Sequence, residues 1–227
     1  MTAHPAPLEP PTDCPLCPRL AAFRAANRTA YPDFHNEPVP SFGPDDAELL
    51  IVGLAPGLKG ANRTGRPFTG DYAGDLLYRT LLDCGLARGS YERRPDDGLR
   101  LVNCRVTNAV RCVPPENKPT PAEARTCRRF LESELASLTR LKAILALGRV
   151  AHDAVVAAVG GRAAAFRFGH CGVHALPNGL QLIDSYHCSR YNTQTGVLTE
   201  ATFRTAVERA RGYLTATGRR SRGSAAR

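Results

Sequence analysis

Four of the eight cysteines have a spacing that is typical of a metal centre. Cys14 and Cys17 form a C-x2-C motif near the start of the chain, and fourteen residues separate Cys112 from Cys127. Four thiolates spaced in this way suit zinc and an iron–sulfur cluster equally well. The alternative is four unrelated buried thiols, because free cysteine is a common core residue.

His187 and Asp71 are the titratable residues best placed for catalysis. His187 directly follows an apolar run and opens a polar loop. A histidine at this point can be an ordinary hydrogen-bonded residue, but its place at the end of a buried strand favours a functional role. Asp71 precedes a helical pattern, where an N-cap is at least as good an interpretation as a catalytic carboxylate.

A glycine-rich segment, GLAPGLKGANRTGRPFTGD at residues 53–71, follows the first apolar run. Bare backbone of this kind allows close approach of a ligand, and the neighbouring cations suggest an anionic one. The segment contains neither G-x4-G-K-[ST] nor G-x-G-x-x-G, so a nucleotide-phosphate loop is disfavoured. Phe68 is either a core aromatic or a platform for a base. Asn108 ends the second run. Its side-chain amide forms hydrogen bonds either with backbone groups or with the edge of a ligand.

Apolar runs alternate with amphipathic helical patterns along the chain. The runs cover residues 48–54, 101–110, 141–147 and 180–186. The helical patterns cover residues 73–86, 120–138, 149–159 and 199–214. Continuous hydrophobicity predicts strands covered on both faces, and the alternation predicts an α/β/α arrangement around a parallel sheet. Ligands of such sheets bind at the carboxyl ends of the strands, so the unusual segments should converge on one edge.

Bulk composition is that of a globular protein, with 43% hydrophobic and 22% charged residues. No apolar stretch approaches the roughly 20 residues that span a bilayer, and the proline-rich start lacks a signal-like apolar region. We therefore expect a cytoplasmic protein without membrane contact. We expect a flexible N-terminus at 1–12, a single domain at 13–215 and a disordered basic tail at 216–227. The net charge of +9 is compatible with nucleic-acid binding, although many basic proteins bind none.

Taken together, these segments resemble the uracil-DNA glycosylase superfamily, and most closely its family 5. Residues 53–71 are similar to the first motif of that family, and SYHCSRYNTQTGVLT at 185–199 is similar to the second. NAVRCVPPENKPTPAEARTC at 108–127 resembles the segment that supplies two cluster cysteines. Family 4 enzymes share the cysteine layout but carry an acid where this chain has Leu54.

The resemblance implies a monofunctional DNA repair enzyme that flips uracil out of DNA and hydrolyses its N-glycosidic bond. Several family 5 enzymes also accept other deaminated bases such as hypoxanthine. The implied fold is a three-layer α/β/α sandwich with a central four-stranded parallel sheet, and we expect a monomer. The resemblance also implies a structural [4Fe–4S] cluster, whose ligands are matched here by Cys14, Cys17, Cys112 and Cys127.

Individual roles follow from the same resemblance. His187 would stabilise negative charge on the departing uracil, and Asp71 would orient water and offset positive charge on the sugar. Phe68 would stack on the flipped base, and Asn108 would hydrogen-bond its edge. The remaining expected base contacts are Gly53, Ala55, Pro56 and Gly57.

The resemblance also implies contacts with the DNA duplex. Arg190 and Tyr191 would enter the space that the flipped nucleotide leaves. Arg63, Arg66 and Lys118 would meet phosphates, unless they form only a solvated basic rim. Two other functions stay open at this point: a non-catalytic DNA-binding protein with a structural metal, and a zinc-bound nucleotide hydrolase.

Overall fold

The computed structural model describes residues 7–215, without the side chain of Thr215, so residues 1–6 and the predicted tail at 216–227 lie outside it. Its main sheet has the strand order β4-β1-β5-β7-β6. Four strands run parallel: β1 (Leu49–Gly53), β4 (Cys104–Asn108), β5 (Ala143–Leu147) and β7 (Gln181–Ser185). A separate two-stranded ribbon joins β2 (Ala87–Arg88) and β3 (Arg100–Leu101).

The sheet differs from the predicted one at two places. The prediction of four parallel strands lacks β6 (Val173–Ala175), an edge strand that runs antiparallel to β7. Three residues in a glycine-containing segment are too few to give a strand pattern. The predicted strand at 101–110 is interrupted because Asn103 adopts a φ of +54° and its Oδ1 accepts a hydrogen bond from the Glu48 amide at 3.1 Å.

Helices occupy the intervals where helical patterns were predicted. These are α3 (Tyr72–Asp83), α4 (Pro121–Ser137), α5 (Arg149–Ala158) and α7 (Glu200–Thr215). Three further helices have no predicted counterpart: α1 (Pro18–Ala30), α2 (Ala61–Thr64) and α6 (Arg190–Gln194). Helix α4 begins with a capping box, since Thr120 Oγ1 accepts from the Glu123 amide at 3.2 Å and the Glu123 carboxylate accepts from the Thr120 amide at 2.7 Å. Within residues 7–215, no helix has the length and apolarity needed to cross a membrane.

Both faces of the sheet are covered by helices. Leu49 and Ile51 of β1 join one apolar core with residues of α3 and α7. Leu50 and Val52, which point the opposite way along the same strand, join a second core with residues of α4 and α5. Because these four strands run parallel, their carboxyl ends lie at the same edge of the sheet.

The described part of the predicted flexible N-terminus makes contacts with the domain. Glu9 forms an ion pair with Arg111 at 3.0 Å, and Arg111 also pairs with Glu134 at 2.7 Å. Arg111 is 1% exposed and Glu134 is fully buried. Because a buried guanidinium requires its carboxylate partners, residue 9 is held against the domain.

Candidate active site

The register of the parallel sheet brings the predicted segments together. Gly53 at the end of β1 pairs with Asn108 at the end of β4, and Leu147 at the end of β5 pairs with Ser185 at the end of β7. The loops that leave these strands surround a cavity of about 460 Å³. Its walls are formed by Leu54, Ala55, Gly57, Ala61, Phe68, Asp71, Tyr72, Ala73, Asn108, Asn117, His187, Ser189 and Arg190.

His187 projects from the loop after β7 into this cavity. Burial lowers the pKa of its imidazole to about 4, so the ring is neutral at physiological pH. Asn192 Nδ2 donates to the His187 carbonyl at 2.8 Å and fixes the backbone. Neither ring nitrogen has a hydrogen-bond partner among residues 7–215. A neutral imidazole in this setting offers one N–H donor to a ligand.

The Phe68 ring forms another wall of the cavity. It lies nearly parallel to the His187 ring, at 27° and with 5.9 Å between centroids. Gly53 lies directly beneath it: a Cβ atom at position 53 would lie 2.4 Å from Phe68 Cζ and 2.4 Å from Asn108 Oδ1. Glycine is therefore required at position 53 by the close approach of these two side chains.

Asn108 presents a buried amide to the same cavity. The residue is 3% exposed, and its Oδ1 has no hydrogen-bond partner in the described chain. A buried polar atom without a partner is destabilising, by about 1–3 kcal/mol. Such an atom at the wall of a cavity is suited to a polar ligand.

Asp71 is both the N-cap of α3 and part of the cavity wall. Its Oδ1 accepts a hydrogen bond from the Gly74 amide at 3.2 Å. Burial raises the pKa of its carboxyl group, although the amides of Gly74 and Ala73 oppose this. The N-cap interpretation from the sequence is thus confirmed, and the same side chain also faces the cavity.

The segment that contains all of these positions matches a known family. The family model described as the uracil DNA glycosylase superfamily matches residues 40–211. The chain belongs to this superfamily.

Relatives of this superfamily member cover most of its length. A Type-5 uracil-DNA glycosylase of Thermus thermophilus is 48% identical over 197 residues, which cover 85% of this chain and 90% of that protein. One of Pyrobaculum aerophilum is 38% identical over 202 residues, covering 87% and 88%. A Type-4 uracil-DNA glycosylase of Archaeoglobus fulgidus is 38% identical over only 114 residues, 50% of this chain and 49% of that protein. The resemblance to family 5 is confirmed.

Several residues that line the cavity of this superfamily member were not among those predicted from the sequence. The clearest are Tyr72, Ala73, Asn117 and Ser189. Asn117 has a φ of +57° and ends a 3-10 turn at Pro115–Asn117. The sequence feature that could have indicated Asn117 is its position nine residues after Asn108, in the loop that follows the same strand.

The three other residues of the predicted base-binding set can be placed as well. Ala55 and Gly57 line the cavity, whereas Pro56 is buried and is not among the lining residues. The loop thus presents two small residues to the cavity. The proline between them is buried in the protein.

Arg66 does not occupy the place expected of a phosphate contact, and that assignment is wrong. The residue is 5% exposed, and its guanidinium forms two 2.8 Å hydrogen bonds with the fully buried Asp97 carboxylate. Arg63 and Lys118, by contrast, are exposed. Lys118 pairs with Glu116 at 3.1 Å on the surface.

Arg190 and Tyr191 begin the short helix α6 beside the cavity. The Arg190 guanidinium carbon lies 5.5 Å from the centroid of the Tyr72 ring, a cation–π contact at the cavity wall. Tyr191 is 74% exposed. An exposed aromatic side chain next to a cavity is available to a large ligand that covers this edge.

The four cysteines with metal-like spacing converge on one small buried pocket. Arg24 of α1 donates to Cys112 Sγ at 3.3 Å, and the Arg111 amide donates to Cys127 Sγ at 3.3 Å. Burial raises the pKa of Cys17 to about 11 and that of Cys127 to about 12, with smaller contributions from the neighbouring thiols. Cys17 and Cys127 are therefore protonated at neutral pH unless a cation binds to their sulfurs.

Proposed function

We propose that this superfamily member is a monofunctional uracil-DNA glycosylase, which hydrolyses the N-glycosidic bond of a flipped-out deoxyuridine and leaves an abasic site. The observation that carries the proposal is the convergence of a neutral imidazole, a carboxylate, an aromatic ring and an unpartnered amide on one cavity. A base inside a duplex is unreachable, so the nucleotide must leave the stack before it enters this cavity.

Base recognition is assigned to Phe68 and Asn108. The Phe68 ring offers a flat face on which the base stacks, and its near-parallel alignment with His187 places both rings at the same slot. The Asn108 amide supplies a donor and an acceptor to the pyrimidine edge. Binding of the base would satisfy the buried Oδ1 that lacks a partner in the free protein.

Departure of the base is assigned to His187. Cleavage of the glycosidic bond leaves negative charge on uracil and positive character on the sugar. A neutral imidazole N–H donates a hydrogen bond to the developing anion at the uracil O2, where a donor fixed in advance strengthens as the charge grows. Its low pKa suits this role, because the ring does not lose or gain a proton near neutral pH.

The attack of water is assigned to Asp71. As a carboxylate it orients a water molecule toward the anomeric carbon and offsets the positive charge on the sugar. The cap hydrogen bond from Gly74 holds the group in one orientation while the rest of the carboxylate stays available to the cavity.

Duplex contacts are assigned to the rim of the cavity. Arg190 and the exposed Tyr191 fill the space that the flipped nucleotide leaves. Arg63 and Lys118 meet phosphates, which carry no sequence information, so lesions are expected to be recognised in most sequence contexts. The protein is proposed to do this as a monomer.

A structural [4Fe–4S] cluster is proposed for the four-cysteine pocket. The donor set fits, with four thiols at one buried site and two N–H groups directed at their sulfurs. Four thiols by themselves suit a tetrahedral zinc site as well as a cluster, and the resemblance to family 5 is what favours the cluster. When bound, the cluster braces the protein and takes no part in hydrolysis.

The substrate range is proposed to include other deaminated bases such as hypoxanthine. The cavity of about 460 Å³ is bounded by the small residues Ala55, Gly57, Ala61 and Ala73 on several sides. Excision assays with uracil, hypoxanthine and xanthine in matched duplexes would define this range.

The central test uses a labelled duplex with one deoxyuridine, followed by alkali to cleave abasic sites. We expect the wild-type protein to release uracil, and His187→Ala to lower kcat by about 10²–10³-fold while it retains duplex binding. His35→Ala is the matched control, because His35 lies outside the cavity. No product from wild-type protein with its cofactor intact would favour the non-catalytic DNA-binding alternative. Equal loss of rate and binding in His187→Ala would contradict the leaving-group role.

A further inference from the structure

Arg66 is the centre of a buried polar network behind the Phe68 wall. Besides its paired bonds to Asp97, its Nε donates to Thr69 Oγ1 at 2.7 Å. Burial opposes ionisation of Asp97, but Arg66 and the amides of Glu92 and Leu99 lower its pKa to about 2. The pair is therefore ionic at any working pH.

Three aromatic rings enclose the same guanidinium. Its central carbon lies 5.0 Å from the ring centroid of Phe42, 5.6 Å from that of Tyr78 and 5.9 Å from that of Tyr91. Cation–π contacts of this kind are strongest when the cation is desolvated, as it is here. The position of the Arg66 side chain is thus fixed by an ion pair, by hydrogen bonds and by cation–π contacts.

The network holds residues 67–69 from behind. The Tyr78 hydroxyl donates to the Pro67 carbonyl. The Tyr91 hydroxyl donates to the Phe68 carbonyl at 3.2 Å and accepts from the Gly70 amide at 3.3 Å. Each of the three residues from Pro67 to Thr69 therefore has one group bonded to the network.

Phe68 needs such support because its backbone is strained. Its φ of +52° lies in the left-handed region, which bulky residues rarely adopt unless their surroundings fix it. The Phe68 backbone also packs tightly against helix α3, because a Cβ atom at Gly74 would lie 1.7 Å from the Phe68 carbonyl oxygen. The strained conformation is what directs the ring at the cavity.

We propose that Arg66, Asp97 and Tyr91 are positioning residues that hold the Phe68 ring in place for stacking on the flipped base. The inference rests on the proposed glycosylase function, because it assigns the ring a base to bind. None of the three residues lines the cavity, so they act through the segment that carries Phe68, which they bond at Phe68, Thr69 and Gly70. Loss of the network lets residue 68 relax toward ordinary backbone geometry, and the ring then leaves its stacking position.

The test compares Tyr91→Phe, which removes one hydroxyl, and Asp97→Asn, which removes the charge from the pair. Base–aromatic stacking is strong enough that we expect KM for uracil-containing duplex to rise about tenfold in both variants. The change in kcat should be smaller than about threefold, because His187 and Asp71 are untouched. Affinity for duplex that already contains an abasic site should stay within about twofold, since that product has no base to stack.

Two controls separate positioning from general destabilisation. Leu138→Ala removes a buried side chain from the core on the α4 and α5 side, and it should lower Tm without raising KM. In a Phe68→Ala background, Tyr91→Phe should have no further effect on KM, because the ring it positions is gone.

Additive effects of Phe68→Ala and Tyr91→Phe, or a KM in Tyr91→Phe no higher than in Leu138→Ala, would overturn the inference while the proposed function stands. A wild-type protein that releases no uracil would overturn the proposed function and this inference with it.

Discussion

At the scale of single residues, Asp71 shows how one side chain serves both the fold and the cavity. It caps α3 through the Gly74 amide and faces the ligand space with the rest of its carboxylate. Asparagine caps helices about as well as aspartate. The substitution Asp71→Asn therefore removes the negative charge while it keeps the helix cap.

We expect Asp71→Asn to keep Tm within about 2 °C of wild type, because the amide oxygen preserves the cap, and to lower kcat by about 10²-fold or more. Asp71→Ala should lose rate and also about 0.5–2 kcal/mol of stability. Single-turnover uracil release and thermal melting measure the two effects. Full turnover by the asparagine variant would leave Asp71 with its capping role only.

Arg66 illustrates why part of the site could not be predicted from sequence. In the segment 53–71, Arg63 and Arg66 look alike, and local pattern gives no reason to separate them. What separates them is Asp97, 31 residues further along the chain, whose carboxylate draws Arg66 into the interior. His187 and Asn108, by contrast, lie just after or at the end of a parallel strand, so their convergence could be predicted from sheet geometry.

At the scale of elements, the four parallel strands were predictable because burial on both faces requires continuous apolar runs. Helix α1 was not, since its buried residues include Arg24 and Asn27. Arg24 is buried against Cys112 Sγ and the Cys14 carbonyl, partners that a helical pattern does not reveal.

A buried hydrogen-bonded group joins three elements of the fold. Asp184 of β7 accepts from His152 Nδ1 of α5 at 2.7 Å and from His174 Nε2 of β6 at 3.0 Å. His152 Nε2 donates to the Phe166 carbonyl at 3.0 Å. Because both ring nitrogens of His152 meet acceptors, the ring binds best as an imidazolium ion.

Stability should therefore depend on the protonation of His152. Burial opposes the charged ring, but Asp184 outweighs it and raises the pKa of His152 above its ordinary value near 6.5. The raised pKa adds stability that is complete below pH 6.5 and is lost as pH rises through the folded-state value.

We expect the Tm difference between wild type and His152→Gln to shrink as pH rises from about 6 to 9, by roughly 2–4 °C for each kcal/mol lost. Thermal melting across this range is the measurement. His35→Gln is the control, and its difference from wild type should follow no such trend. A Tm difference between wild type and His152→Gln that stays constant with pH would show that the His152 ring is neutral in the folded protein.

At the scale of the whole molecule, the four-cysteine pocket joins parts that are distant in the chain. Cys14 and Cys17 precede α1, whereas Cys112 precedes the turn that carries Asn117 at the cavity wall, and Cys127 lies on α4. Ligation at this pocket would tie the N-terminal helix to the active-site rim.

We expect Cys112→Ser to lose the broad absorbance near about 400 nm that an iron–sulfur cluster gives, and to lower Tm, because ligation is coupled to folding. Visible spectra and iron analysis of the purified protein measure the first effect. Cys84→Ser, at a buried thiol outside the pocket, should keep the colour. Colourless wild-type protein with one bound zinc would contradict the cluster.

The side-by-side pairing of Gly53 and Asn108 also restricts how relatives of this protein can diverge. Any side chain at position 53 meets the amide at 108 and the ring at 68 at once. A larger residue at position 53 therefore requires that both the amide at 108 and the ring at 68 give way first. Changes of specificity at position 53 are thus tied to changes at two other positions.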